Sequence, residues 1–378
     1  MKKLKIIFLS VIIIFILPIN TFAQEAIEDD TYTKLYEQSG AEDIQNALPN
    51  EVKEILREIG IENVSFDSIF KADFKSLFKL FYEISCKNID RPLKLLFKIT
   101  GILILTSIVK ILLPSDNRLN DTVNMVLGCV IVLCVFSSLS DSLTRGVTAI
   151  ESSCVFMKAL IPVFAGIISM SGNPLLALSY NSLTLFMAEG VSSLCKNTVV
   201  PLSGAYTALC AVSAISSEIN LKGMTDLIKK TSMTVLSVGA AIFSAALTLK
   251  GLMAGAADSL MSRGIKLAIS SAIPVVGGAL SEAYSSIIGS LALLKSAVGM
   301  FCILAVLFIN LPVVIELTSF IICFKATGAL ASLLDNQSGE KIIESITSTF
   351  TIINITVIFE SVIFIISSAI ILSLRTLI

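Results

Sequence analysis

Apolar runs long enough to cross a membrane recur along the chain after Lys94, with only short polar stretches between them. A helical crossing needs about 20 mainly apolar residues. The runs lack the short alternating pattern of outer-membrane barrel strands, and helices satisfy their own backbone hydrogen bonds in lipid. We therefore predict an all-α polytopic membrane protein, a helical bundle of about seven to nine transmembrane or re-entrant segments. The candidate spans are residues 95–113, 123–143, 155–170, 175–194, 199–216, 231–249, 297–324 and 352–372.

The third and fifth candidate spans are shorter than the others and contain Pro162 and Pro201. Each of these two spans could instead be a re-entrant segment that enters and leaves the membrane on the same side. Basic residues are spread thinly over the loops on both sides, so the excess of positive charge that marks cytoplasmic loops does not fix the orientation of the later helices.

The first residues have the pattern of an export signal. Lys2, Lys3 and Lys5 precede an apolar run over residues 6–17, and small residues end at Ala23. This arrangement predicts a signal peptide over residues 1–23 that is cleaved near Ala23. The alternative is an uncleaved first transmembrane helix, although the run is short for a full crossing. Under either interpretation the next segment starts outside the cytoplasm.

Residues 24–94 differ from the rest in charge, with 15 acidic and 9 basic side chains and a net charge of −6. We predict a small acidic extracytoplasmic segment with amphipathic helices. One helix follows Asn50 as its cap, with apolar positions 52, 55, 56 and 59 on one face and Gly60 as its stop. A second one, over residues 66–81, carries Phe on one face and Lys on the other, and lies either at the membrane surface or within a small soluble domain.

Composition narrows the functional classes. Hydrophobic residues make up 54% of the chain and charged residues 15%, so lipid has to be the solvent for most of it. The net charge of −1 gives no basic excess for nucleic-acid binding, and the chain has no histidine. No phosphate-binding loop, zinc-protease motif or catalytic serine motif occurs. We therefore expect no enzyme, no cofactor and no nucleic-acid partner, and membrane lipids as the surroundings.

Ionisable residues inside the candidate spans are few. The candidates for an ion pathway or for interhelical packing are Glu189, Glu316, Lys325 and Glu360. A basic residue or Asp at mid-membrane costs at least about 2.5 kcal/mol on insertion scales, so each of these side chains is expected to face protein or water. Two interpretations stay open: a pathway for ions, or neutralised carboxyls and ion pairs that hold the bundle together.

The stretch from Lys266 to Lys295 is interrupted in its middle by Pro274, Gly277 and Gly278, and Glu282 is its only internal charge. Each flank is too short to cross a membrane. We predict a discontinuous helix or a re-entrant hairpin, because irregular backbone at membrane depth is tolerated where protein or a cavity covers it. The alternative is one long helix that is kinked at Pro274.

Small residues crowd the sixth candidate span and the stretch after it. Gly251 and Gly255 form a GxxxG pair there. This spacing favours close approach of two helices, either within the chain or between copies in a homo-oligomer.

One patch joins residues 263–266 to IPVVGGALSEAYSSIIGSLALLKSAVG at 273–299, and a second patch is ALIPVFAGIISMSGNPLLAL at 159–178. Both patches, the first more strongly, resemble the stage III sporulation protein AE family of endospore-forming Firmicutes. Length, export signal, acidic leader and the succession of apolar spans agree with the family as well. The likeness covers essentially the whole chain, although only these two patches are specific.

The resemblance implies a component of the complex that joins the mother cell to the engulfed forespore, in the mother-cell membrane around the forespore. Its implied partners are the other proteins of the same operon and a forespore membrane protein, and the implied function is a channel-like or secretion-like passage. No catalytic residue is implied. The alternative function is a stand-alone secondary transporter, which the interrupted segment and the intramembrane carboxylates would suit.

Overall fold

The computed structural model describes residues 30–61, 64, 68–69, 74–112, 117–170, 174–215, 221–272 and 277–373. For residues 250–251, 253–272, 277–286 and 288, and for a few residues at helix ends, the description covers the backbone alone. The predicted signal peptide and Pro274 lie outside the described residues. The cleaved signal peptide and the break at Pro274 therefore stay predictions.

The described residues form helices and contain no strand, which confirms the all-α fold class. Five of the helices are long and apolar enough to cross a membrane, and a count of seven to nine segments stays a prediction. The elements are α1 Asp30–Ser39, a 3-10 helix Ala41–Ala47, α2 Asn50–Glu58, α3 Phe74–Leu112, α4 Asn117–Met170, α5 Pro174–Leu194, a π-helix Cys195–Val199, α6 Val200–Ile215, α7 Lys222–Ala272, α8 Gly277–Leu333 and α9 Gln337–Ser373.

Helices α8 and α9 form the central hairpin of the bundle and have the most extensive contact of any two helices. Phe350 of α9 packs on Phe320 and Phe324 of α8, with ring centroids 4.9 and 5.3 Å apart. At the turn, the Asn336 side-chain oxygen accepts hydrogen bonds from the Gly339 backbone N–H and from Lys110 of α3. The turn therefore fixes the C-terminal end of α3 to the hairpin.

Helices α3, α4 and α7 surround this hairpin and keep much of their apolar surface exposed. Antiparallel α4 and α5 pack on each other, and α7 contacts α5, α6 and α9. The exposed large side chains include Phe97, Leu105, Ile111, Leu133 and Phe136. An apolar outer surface around a bundle with polar groups inside is the arrangement expected of a membrane protein.

Helix α4 joins two of the candidate spans, 123–143 and 155–170, without a turn. Its 54 residues correspond to a length of about 80 Å, more than twice the hydrocarbon thickness of a bilayer. The expected loop is helical because residues 144–154 contain no helix-breaking proline, and Gly146 lets α9 approach closely. Pro162 lies inside the same continuous helix, so the structure has no re-entrant turn there.

The fourth and fifth candidate spans are also continuous, because the π-helix Cys195–Val199 joins α5 to α6. Pro201 follows this π-helix, where the hydrogen-bond ladder changes register. A proline lacks the backbone donor that a regular helix would use, so it is tolerated where the hydrogen-bond ladder is already interrupted. The structure therefore shows no re-entrant loop at Pro201 either.

The N-terminal helices pack on the bundle instead of standing apart. Helix α1 contacts α8 and α4, and the 3-10 helix buries Ala41 and Ile44 against α4. Helix α2 starts at Asn50 itself, without a side-chain cap, and the chain turns at Gly60 with φ 83°. Helix α3 runs through residues 94–95, where the sequence placed the start of the membrane domain, so no break in the backbone marks that boundary.

The burial of Tyr36 in α1 makes the stability of this N-terminal packing depend on pH. Burial, followed by the charge of Glu42, raises the pKa of Tyr36 to about 12 from an ordinary value of 10. The pKa of Tyr36 is higher in the folded protein than in the unfolded protein. The buried neutral phenol therefore contributes fully to the stability of the fold below pH 10, and this contribution is lost as the pH rises towards 12. We expect the tyrosinate absorbance of the protein minus that of Tyr36→Phe to appear near pH 12. A difference that appears near pH 10 would show that α1 does not pack in this way.

Gly239 marks a close approach of α7 to α5. A Cβ atom added to it would lie 2.7 Å from Cδ1 of Leu194 and 3.4 Å from Cζ of Phe359. We expect Gly239→Leu to lower the stability of the detergent-solubilised protein by about 1–3 kcal/mol, the usual cost of overpacking. Gly101→Leu is the control, since no atom lies within 4 Å of a Cβ added there. Equal thermal unfolding midpoints for the two variants would contradict the close contact.

Candidate functional site: buried charged and polar groups in the bundle core

The first group of buried charges lies where α3, α4 and α8 meet. Glu316 of α8 is only 3% exposed, and its Oε2 accepts a hydrogen bond of 3.0 Å from Nη1 of Arg145 on α4. Its Oε1 lies 3.9 Å from Nη1 of Arg91 on α3, and the same Nη1 lies 3.7 Å from Asp141 of α4. One carboxylate therefore joins both outer helices to the central hairpin.

The two partners of Glu316 are not buried to the same degree as the carboxylate. The Arg145 side chain is 45% exposed and the Arg91 side chain 56% exposed. A buried carboxylate without its partner keeps the full cost of desolvation, whereas a half-exposed guanidinium is enclosed by the protein only in part. The stability of this group therefore depends more on the arginines that neutralise Glu316 than on Glu316 itself.

The second group is uncharged apart from one carboxyl, and it lies between α4, α8 and α9. Glu360 of α9 is fully buried, next to Ser153 of α4, Asn310 of α8 and Ser361. Asn310 donates from Nδ2 to Ser153 Oγ at 2.8 Å and to the Val306 carbonyl oxygen at 3.0 Å. Among the described residues, Glu360 has no basic partner within ion-pair distance.

Two further ion pairs join α4 to α5 and to the π-helix, at partly exposed positions. Lys158 pairs with Glu189, and Lys196 pairs with Glu151. Partly exposed ion pairs contribute little to stability, with a median of about 0–1 kcal/mol. Glu189 thus lies at an outward-facing pair, and Lys325 is exposed on α8.

A small apolar cavity of about 220 Å³ lies between α4, α6 and α9, separate from these groups. Its walls include Val135, Leu139, Thr207, Cys210 and Ile346. These mainly apolar side chains provide few ligands for an ion. Among the described residues no three His, Cys, Asp or Glu side chains come together in a metal-binding arrangement.

The structure separates the candidate residues that the sequence grouped by their location in apolar runs. Glu316 and Glu360 lie in the core in two different surroundings, and Glu189 and Lys325 lie at the surface. Gly277, Gly278 and Glu282 are in the first turns of α8, and Gly251 and Gly255 are in α7, but the surroundings of these five lie outside the described side chains.

Sequence reasoning missed the residues that surround the two core carboxyls. Arg91 and Arg145 were overlooked because each lies next to a candidate span and not inside it. Asn310 did offer a signal, as an amide within the apolar run of residues 297–324. A polar residue in such a run is expected to find a partner on a neighbouring helix.

The chain is similar to proteins of one known family. The model of a family described as Stage III sporulation protein AE matches residues 58–374. A Bacillus subtilis (strain 168) protein named Stage III sporulation protein AE is 23% identical to the chain over 239 residues. That match covers 62% of this chain and 60% of the relative, so the chain spans less than two thirds of the relative's length. No solved structure matches.

The unequal burial in the Glu316 group predicts unequal effects of substitution. We expect Arg145→Gln to destabilise the protein by about 1–3 kcal/mol, because it leaves a buried carboxylate without its hydrogen-bond donor. Glu316→Gln should cost less, since both arginines are about half exposed, and the double variant should be more stable than Arg145→Gln alone. Thermal unfolding in detergent measures all three.

Lys79→Gln is the matched control, because Lys79 forms an exposed pair with Glu83 at 3.7 Å. Its unfolding midpoint should stay close to that of the unmodified protein. A Glu316→Gln variant that is less stable than Arg145→Gln would contradict the order of burial described above.

Proposed function

Because the chain belongs to the stage III sporulation protein AE family, whose model matches residues 58–374, we propose that it is a sporulation-specific membrane subunit of a channel-like or secretion-like complex between mother cell and forespore. The match to the family is the observation that carries this proposal. In this proposal the protein has no catalytic step of its own, and it lies in the mother-cell membrane that surrounds the forespore.

The structure agrees with the membrane part of the proposal. Five long apolar helices are present among the described residues, and the outer ones keep apolar faces that lipid or other membrane proteins can cover. The outward side chains of α3 and α4 are large and apolar over several turns, as at Phe97 and Leu133. An exposed apolar surface of this extent supports assembly with membrane partners as well as with lipid.

We propose that these partners are the other proteins of the same sporulation operon and a membrane protein of the forespore. Their identity rests on the family alone. Additional copies of this chain are a further candidate partner.

A stand-alone secondary transporter is the second candidate function, and Glu360 is the observation that favours it. A fully buried carboxyl in the core of a membrane bundle is typical of proton-coupled transport. The two functions differ in when the cell needs the protein. A transporter acts whenever its substrate is taken up, whereas a subunit of the proposed complex acts only after engulfment.

Deletion of the gene separates the two functions. We expect the deletion strain to grow normally in rich and in defined media, to complete engulfment, and then to stop without heat-resistant spores. Fluorescence microscopy of membranes and counts of heat-resistant colonies measure both steps, and an ectopic copy of the gene is the control. Normal sporulation together with slow growth on a particular nutrient would reject the proposed complex in favour of the transporter.

A further inference from the structure

The surroundings of Glu360 contain more hydrogen-bond acceptors than donors. Neither carboxylate oxygen of Glu360 has a hydrogen-bond partner among the described residues, and the same is true of Oδ1 of Asn310. Both residues are almost completely buried. Three acceptor oxygens therefore lie in the core of the bundle without a formed hydrogen bond, and the donor groups next to Glu360 are those of Ser153, Asn310 and Ser361.

Most hydrogen-bond donors next to Glu360 already donate to other acceptors. Asn310 has two amide hydrogens, and they go to Ser153 Oγ and to the Val306 carbonyl oxygen. The Ser361 hydroxyl donates to the carbonyl oxygen of Val357 at 2.8 Å. Of the polar groups next to Glu360, the Ser153 hydroxyl is the one whose hydrogen has no acceptor among the described residues. One hydroxyl hydrogen cannot satisfy three acceptor oxygens.

Positive charge does not fill this gap. Among the described residues, α4 and the π-helix place the thiols of Cys154 and Cys195 near Glu360, and α8 contributes the uncharged Asn310. The Cys154 thiol itself donates to the Ala188 carbonyl oxygen. The lysines of the same region are engaged elsewhere, in the pairs Lys158–Glu189 and Lys196–Glu151.

An ionised carboxylate in these surroundings would be an unpaired buried charge. The effective penalty for such an ion is several kcal/mol even after the protein relaxes, and a group in this position takes up a proton in preference. The neutral acid also supplies the donor that the cluster lacks. A bound proton therefore removes both the unpaired charge and the shortage of hydrogen-bond donors.

We propose that Ser153, Asn310 and Glu360 form a proton-binding site in the core of the bundle, with the proton held on the Glu360 carboxyl group. Hydronium in the surrounding water supplies the proton: one of its O–H bonds breaks, one O–H bond forms on a carboxylate oxygen of Glu360, and a water molecule is left. The new O–H donates within the cluster, and the Ser153 hydroxyl is free to donate to the remaining carboxyl oxygen. This site is independent of the sporulation role, since it depends only on the packing of α4, α8 and α9.

Infrared difference spectroscopy of the purified full-length protein tests this site. The spectrum of Glu360→Gln is subtracted from that of the unmodified protein at neutral pH, in nanodiscs. We expect the carbonyl stretch of a neutral carboxylic acid to be present in the unmodified protein and lost in Glu360→Gln. Glu189→Gln is the matched control, because Glu189 is exposed and paired with Lys158, and its loss should remove carboxylate bands instead.

Asn310→Leu distinguishes a bound proton from a merely buried side chain. It removes the amide group next to Glu360, so the carbonyl stretch of the acid should change frequency while the band persists. If Glu360→Gln does not fold, the band can be followed in the unmodified protein alone, by its shift on exchange into D₂O. Loss of carboxylate bands in Glu360→Gln at neutral pH would overturn the proposal. Carboxylate bands that change on addition of Na⁺ would also overturn it and would make the site one for a metal cation.

Discussion

The interior of a membrane bundle offers no water, so every polar group in it has to find its partner in the protein. This constraint bears most heavily on the α8–α9 hairpin, which is the most buried part of the chain and also carries Glu316, Asn310 and Glu360. The surrounding helices meet the constraint in two ways. The helices α3 and α4 bring arginines to Glu316, while the Glu360 cluster is satisfied by the uptake of a proton under our proposal.

The same constraint explains why the outer helices are arranged around the hairpin as they are. Lys110 of α3 reaches Asn336, Lys229 of α7 reaches Ser348, and Thr207 of α6 reaches Thr349. Each contact joins a polar side chain of an outer helix to the hairpin. Apolar packing alone is non-directional, whereas these hydrogen bonds fix which helix lies next to which turn of α8 or α9.

The fold class could be predicted from the sequence because hydropathy reports directly on the length of apolar segments. Helix α5 begins at Pro174 and the candidate span at residue 175, and both end at Leu194. The two candidate spans 123–143 and 155–170 lie in one continuous helix, because hydropathy also falls where a long helix carries charged residues to its neighbours, as Arg145 and Glu151 do. A drop in hydropathy indicates a loop only if the charges face water.

The candidate site was harder to predict for a related reason. The sequence shows that Glu316 and Glu360 lie in apolar runs, and both therefore look alike. Their difference comes from helices that are distant in sequence, since Arg145 is 171 residues from Glu316 and Ser153 is 157 residues from Asn310. Local periodicity contains no information about such pairings.

The length of α8 has a mechanical consequence. Its 57 residues form a rod of about 85 Å, of which a bilayer takes up about 30 Å of hydrocarbon depth. A rod that is held at Glu316 by two arginines pivots at that point, and a tilt of about 5° would displace its N-terminal end, about 60 Å away, by roughly 5 Å. A small rotation of the helix at the ion pair would therefore correspond to a much larger displacement at its far end.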